Sequence, residues 1–193
     1  MGRHQETRRQ VNNSVKVQTL AVDLDGVLGQ LLTPVLSDFR KRTGVTVEER
    51  HVTNWNYKSG AFSVGKEIER FMATPENVQR VPVVPGARDA LLDIYQTMKI
   101  VIVTARPPHV ERATRYWLLN HGFRWPMVFA DVKPAVRADI LIDDRWENCE
   151  AWAKTGRYAY LFTQPWNAQA VTDDLVRRVS GWEQMSRILG GKK

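Results

Sequence analysis

The chain has 193 residues, of which 43% are hydrophobic and 25% are charged, and these fractions exclude a fibrous or disordered chain. The formal net charge is +7, but residues 1–16 account for +3 of it and Lys192 and Lys193 for another +2. The remaining +2 is spread over the body of the chain, so the charge does not by itself indicate a surface for binding nucleic acid.

Cys149 is the single cysteine, which excludes an intramolecular disulfide and fits a reducing compartment. Residues 1–16 lack the apolar core of a signal peptide, and no apolar run reaches the roughly 18 residues of a membrane span. We therefore expect a cytoplasmic protein with no membrane partner. Residues 1–16 are predicted to be a flexible basic tail, and residues 190–193 a second tail.

Short apolar stretches recur along the chain and end abruptly in polar residues. They cover residues 17–22, 99–103 and 139–142. Short apolar runs bounded by turn residues are typical of buried strands. We predict two further strands, over residues 127–130 and 157–162.

Helical periodicity fills much of the sequence between these stretches. It covers residues 90–98, residues 110–121 up to Gly122, and residues 172–189 at the end. Strands that alternate with helices indicate an α/β fold built on a doubly wound parallel sheet.

The segment from residue 31 to residue 81 breaks this alternation. It has helical patterns at Pro34–Thr43 and Ser63–Ala73, with Thr33 and Gly44 as the expected cap residues of the first helix. We predict a small helical cap inserted after the first strand. The predicted bounds are residues 31–81 for the cap and residues 17–30 and 82–189 for the core domain.

Acidic and hydroxyl side chains follow the predicted strands. In an open parallel sheet, ligands bind beyond the carboxyl ends of the strands, where residues distant in sequence can converge. The residues concerned are Asp23, Asp25, Thr104, Asp143 and Asp144. Four carboxylates at one place repel one another unless a cation neutralises them, and hard oxygen ligands that leave room for water and phosphate favour Mg²⁺.

A phosphate dianion at the same place needs cationic and hydrogen-bonding partners. Lys133, the Thr104 hydroxyl and backbone N–H groups after the first strand can supply them. Asp23 would then attack phosphorus, while Asp25 protonates the leaving alkoxide and later activates water to hydrolyse a phosphoaspartate. The sequence therefore predicts a magnesium-dependent phosphatase acting on a phosphate monoester.

Four ordered motifs carry a family resemblance over about residues 17–167. They are Asp23-Leu-Asp-Gly-Val-Leu, Thr104-Ala-Arg-Pro, Lys133, and Ile-Asp143-Asp144-Arg. Their order and spacing resemble those of the haloacid-dehalogenase (HAD) superfamily. Two further segments, Trp117-Leu-Leu-Asn-His-Gly and Thr163-Gln-Pro-Trp-Asn, are similar to the 5'(3')-deoxyribonucleotidase family.

This resemblance implies a HAD-like Rossmannoid core with a helical cap, Mg²⁺, and nucleoside monophosphates as substrates, often in the deoxy form. It implies Asp23 as nucleophile, Asp25 as acid and base, and Thr104 and Lys133 as phosphate-binding residues. Ala105 stands where relatives often have a small polar residue. The implied metal ligands are Asp23, Asp143, Asp144 and the carbonyl of Asp25.

Selection of the substrate is assigned to residues beyond the four motifs. Trp55 and Tyr57, within Asn54–Tyr57, are candidates for stacking on a base, with packing inside the cap as the alternative. Arg106 is a candidate substrate contact, with an exposed turn as the alternative.

Two other functions stay open at this stage, together with the oligomeric state. A polynucleotide 3'-phosphatase would share the same motifs but have an open, basic entrance, which would make a nucleic acid polymer the partner. A phosphate-dependent binding or regulatory module would show no turnover. The sequence leaves a homodimer open.

Overall fold

The computed structural model describes residues 17–191, so the predicted basic tail and residues 192–193 of the second tail lie outside the described residues. The strands are β1 (Thr19–Asp23), β2 (Lys58–Ser59), β3 (Phe62–Ser63), β4 (Lys99–Thr104), β5 (Met127–Phe129), β6 (Ile140–Asp143), β7 (Tyr158–Phe162) and β8 (Val176–Val179). The helices are α1 (Leu32–Thr43), α2 (Val64–Met72), α3 (Ala87–Ile94), α4 (Glu111–Asn120), α5 (Trp146–Ala153) and α6 (Trp182–Leu189).

Within the described residues, six strands form a parallel sheet in the order β5-β4-β1-β6-β7-β8. The chain runs from β1 to β4 and β5 on one side, then returns to β6 and beyond on the other side. The point where this order reverses lies at β1, between β4 and β6. The predicted parallel α/β sheet is confirmed, and the carboxyl ends of β1, β4 and β6 share one edge.

Both faces of the central strand β1 are buried, which explains its continuous apolar sequence. Leu20 and Val22 lie in a cluster with residues of α3, α4 and α6. Ala21 lies in a second cluster, with residues of α5. Helices therefore cover the sheet on two sides and fix the position at which β1 delivers its last residue, Asp23.

The prediction of one helix over residues 172–189 is wrong in its first half. Residues 176–179 form the edge strand β8, and a helix begins only at Trp182. Val176 and Val179 are both buried and lie three positions apart. This spacing fits one face of a helix as well as a strand that is buried on both faces. In the structure they pack in different clusters, as expected for residues an odd number apart on a strand.

The segment predicted as a cap contains α1, α2 and the short β2–β3 hairpin. Helix α1 ends at Gly44 in the left-handed conformation, as predicted, but it begins at Leu32 rather than after a Thr33 cap. Arg42 and the buried Glu67 link α1 to α2 by two hydrogen bonds of 2.7 Å. Within residues 17–191, each helix is too short or too polar to cross a bilayer.

Candidate active site

Buried carboxylates meet at the edge where β1 and β6 end. Asp23 is the last residue of β1, Asp143 is the last residue of β6, and Asp144 follows it. One carboxylate oxygen from each of the three residues lies within 4.8 Å of the others. Because β1 and β6 are neighbouring parallel strands, the sheet itself brings these residues together. We call them the acidic cluster.

Lys133 lies beside the acidic cluster with its side chain 1% exposed. Its ammonium donates to Asp23 Oδ1 at 2.5 Å and to the carbonyl of Val103 at 3.0 Å. It is carried by a short 3₁₀ turn, Lys133–Ala135, after β5. The predicted Lys133 position therefore places a positive charge in direct contact with the predicted nucleophile.

Arg157 holds the loop that carries Lys133. Its guanidinium donates to the carbonyls of Pro134 at 2.7 Å, Val136 at 3.0 Å and Ala138 at 3.1 Å. The guanidinium carbon also lies 3.7 Å from the centre of the Trp152 ring, within the range of a cation–π contact. These contacts of Arg157 fix the backbone after Lys133, although this loop is not part of a sheet.

Burial raises the pKa of each carboxyl group in the acidic cluster. For Asp23 burial is the largest cause, opposed by Lys133. Burial and then the charge of Asp23 raise the pKa of Asp143 to about 7. The pKa of Asp144 is raised well above its usual value by burial, then by Asp143 and Asp23.

The pKa of Lys133 is raised in spite of its burial. Burial opposes the charged form, but attraction to Asp23 and Asp143 outweighs it. The ammonium therefore stays charged, yet it is outnumbered by the carboxyl groups around it. The excess of carboxyl groups over this one ammonium favours their protonated forms, as the raised pKa values of Asp143 and Asp144 reflect.

Asp25 lies in the loop after β1, and Arg106 holds both of its carboxylate oxygens. Arg106 Nε donates to Oδ2 at 2.8 Å and Nη2 to Oδ1 at 2.6 Å. Arg106 is 5% exposed, and its Nη1 donates to the hydroxyl of Thr114 at 3.2 Å. The interpretation of Arg106 as an exposed turn is therefore wrong, while its contact with substrate stays a prediction.

Trp166 and Asn167, which sequence reasoning did not assign to the site, contact Asp144. The Trp166 indole N–H donates to Asp144 Oδ2 at 2.7 Å, and Asn167 Nδ2 donates to the Asp144 carbonyl at 2.7 Å. Gly26 makes room for this arrangement, because a Cβ there would lie 2.3 Å from Asp144 Oδ2. The available signal was the segment Thr163-Gln-Pro-Trp-Asn, which carries both residues.

A cavity of about 220 Å³ lies beside the acidic cluster. Asp23, Asp144, Lys133 and Thr104 belong to its charged and polar side. Its apolar side comes from the predicted cap: Leu31, Trp55, Ile68 and Met72. The sequence-predicted residues that line it are Asp23, Asp25, Trp55, Thr104, Arg106, Lys133 and Asp144.

Two sequence-predicted residues do not line this cavity. Asp143 lies beneath it, where its carboxylate accepts hydrogen bonds from the Arg145 backbone and the Asn148 side chain. Tyr57 packs against Phe62 at a ring separation of 6.2 Å, in a cluster formed by the predicted cap. A substrate contact of Tyr57 stays a prediction.

Solved structures of other proteins share this fold. A HAD-like hydrolase from Streptococcus pneumoniae is 15% identical, with a TM-score of 0.62, over 89% of this chain and 98% of its own. The HAD-hydrolase YfnB of Bacillus subtilis, bound to magnesium, is 11% identical, with a TM-score of 0.59, over 90% and 98%. Together with the four motifs at one sheet edge, this fold defines a HAD-like hydrolase.

Residues 16–192 match the family described as "5' nucleotidase, deoxy (Pyrimidine), cytosolic type C protein", and the chain belongs to this family. Both resemblances identified from the sequence motifs are thereby confirmed. No curated protein matches the chain significantly.

We expect Asp143→Asn to change how stability depends on pH in the metal-free protein. A carboxyl group with a raised pKa favours folding when protonated; this contribution is complete below its ordinary pKa of 3.8 and is lost as the pH rises through about 7. Asparagine does not ionise. The free energy of unfolding of the variant, measured with urea in excess chelator, should therefore rise relative to wild type between about pH 4 and about pH 7 and stay level above that.

Glu183→Gln on the exposed surface of α6 is the control, and its difference from wild type should stay flat over this range. A flat difference for Asp143→Asn as well would contradict the raised pKa.

Proposed function

We propose that this phosphatase hydrolyses 5'- or 3'-(deoxy)nucleoside monophosphates with Mg²⁺, through a phosphoaspartate at Asp23. The observation that carries the proposal is the buried acidic cluster with Lys133 in contact with Asp23, at the base of a cavity with an apolar cap side. Membership of the cytosolic nucleotidase family supports the substrate class and a cytoplasmic location.

The residues of the acidic cluster fit a magnesium ion. They offer buried carboxylate oxygens close together, and burial and mutual repulsion raise their pKa values, so a bound divalent cation would relieve an existing imbalance. We propose that Asp23, Asp143, Asp144 and the carbonyl of Asp25 hold the ion. It would supply charge neutralisation and polarisation of the phosphoryl group. A magnesium-bound relative of the same fold supports this assignment.

The protein's own residues divide the remaining chemistry. Asp23 attacks phosphorus, the ester P–O bond breaks, and the leaving oxygen takes a proton from Asp25, whose carboxyl group turns away from Arg106 to carry it. Asp25 then accepts a proton from water as the water attacks the phosphoaspartate, which releases inorganic phosphate and restores Asp23. Lys133 and the Thr104 hydroxyl hold the phosphoryl oxygens, since both line the cavity next to Asp23.

The cap side of the cavity supports a small ester over a polymer. Leu31, Ile68 and Met72 provide apolar contacts there, and the Trp55 ring offers a flat surface for a base. A polynucleotide 3'-phosphatase remains the alternative. Phosphate release from deoxynucleotides, ribonucleotides, sugar phosphates and a 3'-phosphorylated oligonucleotide tests both, and preference for the oligonucleotide would overturn the nucleotide assignment.

Replacement of the nucleophile should abolish turnover. Asp23→Asn should lower kcat for the best nucleotide by several orders of magnitude, because a carboxamide does not attack phosphorus. Asp174→Asn, the same substitution at an exposed position, is the matched control and should keep wild-type turnover. Phosphate release is the measurement, and near-normal turnover of a folded Asp23→Asn protein would rule out the mechanism.

Removal of divalent cations should abolish activity and Mg²⁺ should restore it. Ca²⁺ should inhibit, because it takes more ligands in a looser geometry that disturbs in-line attack. The test is phosphate release after exhaustive chelation, followed by titration with each ion. Full activity in the chelated protein would contradict a metal role.

Loss of the Trp55 ring should lower the catalytic efficiency for nucleotides more than for simple phosphate esters. A base-stacking contact is typically worth about 1–3 kcal/mol, so Trp55→Ala should lower kcat/KM for the best nucleotide roughly ten- to a hundredfold. At saturating Mg²⁺, p-nitrophenyl phosphate should change much less, because it lacks a nucleobase.

Trp125→Ala is the control for loss of a half-buried tryptophan ring, since Trp125 packs against Tyr95 and Phe123. It should affect the two substrates equally. Equal losses for the two substrates in folded Trp55→Ala would assign Trp55 a packing role only.

A further inference from the structure

Trp166 occupies an unusual position for a large aromatic side chain. It lies in the 3₁₀ turn Pro165–Asn167 after β7, is 8% exposed, and directs its indole N–H at the acidic cluster. The acceptor is Asp144 Oδ2, at 2.7 Å. A Cβ at Gly26 would meet both the Asp144 carboxylate and the Trp166 ring, so both groups lie against the Gly26 backbone.

The indole N–H is suited to orienting a metal ligand. It donates one hydrogen bond, accepts none and carries no charge, so it fixes one carboxylate oxygen without neutralising the group. The other oxygen of Asp144 is left without a bond to the indole. An ammonium in the same place would instead compete with a cation for the carboxylate charge.

The turn that carries Trp166 is tied to the backbone of the residue it orients. Asn167 Nδ2 donates at 2.7 Å to the carbonyl of Asp144 and also at 2.7 Å to that of Phe162. Arg178 in turn donates to the side-chain and backbone oxygens of Asn167, at 2.8 and 2.9 Å. The turn therefore contacts Asp144 twice. Trp166 binds the Asp144 side chain, and Asn167 binds the Asp144 backbone.

The ring of Trp166 is also fixed by packing against the predicted cap. It belongs to a buried cluster whose other fully buried members come from residues 32–64. Its ring centre lies 5.2 Å from that of Trp55. Rotation of the indole away from Asp144 would disturb this cluster, so the N–H direction is constrained on both sides.

We infer that Trp166 is a positioning residue that orients the Asp144 carboxylate for the divalent cation. The inference rests on the proposed magnesium site and goes beyond it, since it assigns a role in metal affinity to a residue that contacts the ligand rather than the ion. Partners of this kind typically change metal affinity by about 10–100-fold when removed.

Calorimetric titration of the full chain with Mg²⁺ tests the assignment without relying on turnover. Trp166→Phe keeps an aromatic ring against the cap and removes the N–H, so Mg²⁺ should bind about 10–100-fold more weakly. Trp125→Phe is the matched control, because it removes an indole N–H from a half-buried tryptophan that packs against Tyr95 and Phe123 and does not line the cavity. The control should bind Mg²⁺ like wild type.

A measurement on the wild-type protein covers the case in which Trp166→Phe does not fold. The assigned indole N–H resonance of Trp166 should shift on Mg²⁺ titration with the same Kd that calorimetry gives. Unchanged Mg²⁺ affinity in folded Trp166→Phe would overturn the inference. So would a Trp166 indole resonance that does not shift when Mg²⁺ is added. Absence of Mg²⁺ binding in wild type would overturn the magnesium site as well, whereas Mg²⁺ binding without nucleotide hydrolysis would overturn the nucleotidase proposal alone.

Discussion

The burial of the acidic cluster beside Lys133 is the constraint on which the site depends. Carboxylates are stable inside a protein when their charge is balanced, and here the ammonium of Lys133 balances part of it. Burial raises the pKa values of Asp23, Asp143 and Asp144, so the folded chain holds these groups at an electrostatic cost. The fold provides the remaining stability through a sheet that is buried on both faces.

Neighbouring polar and aromatic groups determine the direction of each carboxylate. Lys133 fixes Asp23, the Asn148 amide fixes Asp143, and the Trp166 indole fixes Asp144. Arg106 plays the corresponding part for Asp25, where its fork engages both oxygens. The donors come from different segments of the chain, so the geometry of the site depends on the tertiary fold rather than on any one loop.

The convergence of the acids could be predicted from the sequence because each follows a short buried strand, and neighbouring parallel strands place their ends together. It predicted β8 poorly, because the spacing of Val176 and Val179 fits a helical face and a strand equally well. The contact of Trp166 with Asp144 spans 22 positions and follows no local periodicity. The partner of Arg106 was likewise hidden, because a buried ion pair with Asp25 depends on how β1 and β4 lie side by side.

The contacts of the Arg157 guanidinium affect which residues of the loop after Lys133 can be substituted. It binds the Lys133 loop through carbonyl oxygens, which every amino acid provides, so those contacts place no demand on the side chains at residues 134–138. Arg157 itself cannot be replaced by lysine without loss of these contacts. Its planar guanidinium reaches several carbonyls while it lies on the Trp152 ring, and a lysine ammonium lacks this planar fork. A single distant side chain thus holds the backbone of the loop, and substitutions at its exposed positions Ala135 and Arg137 can accumulate while Lys133 keeps its place.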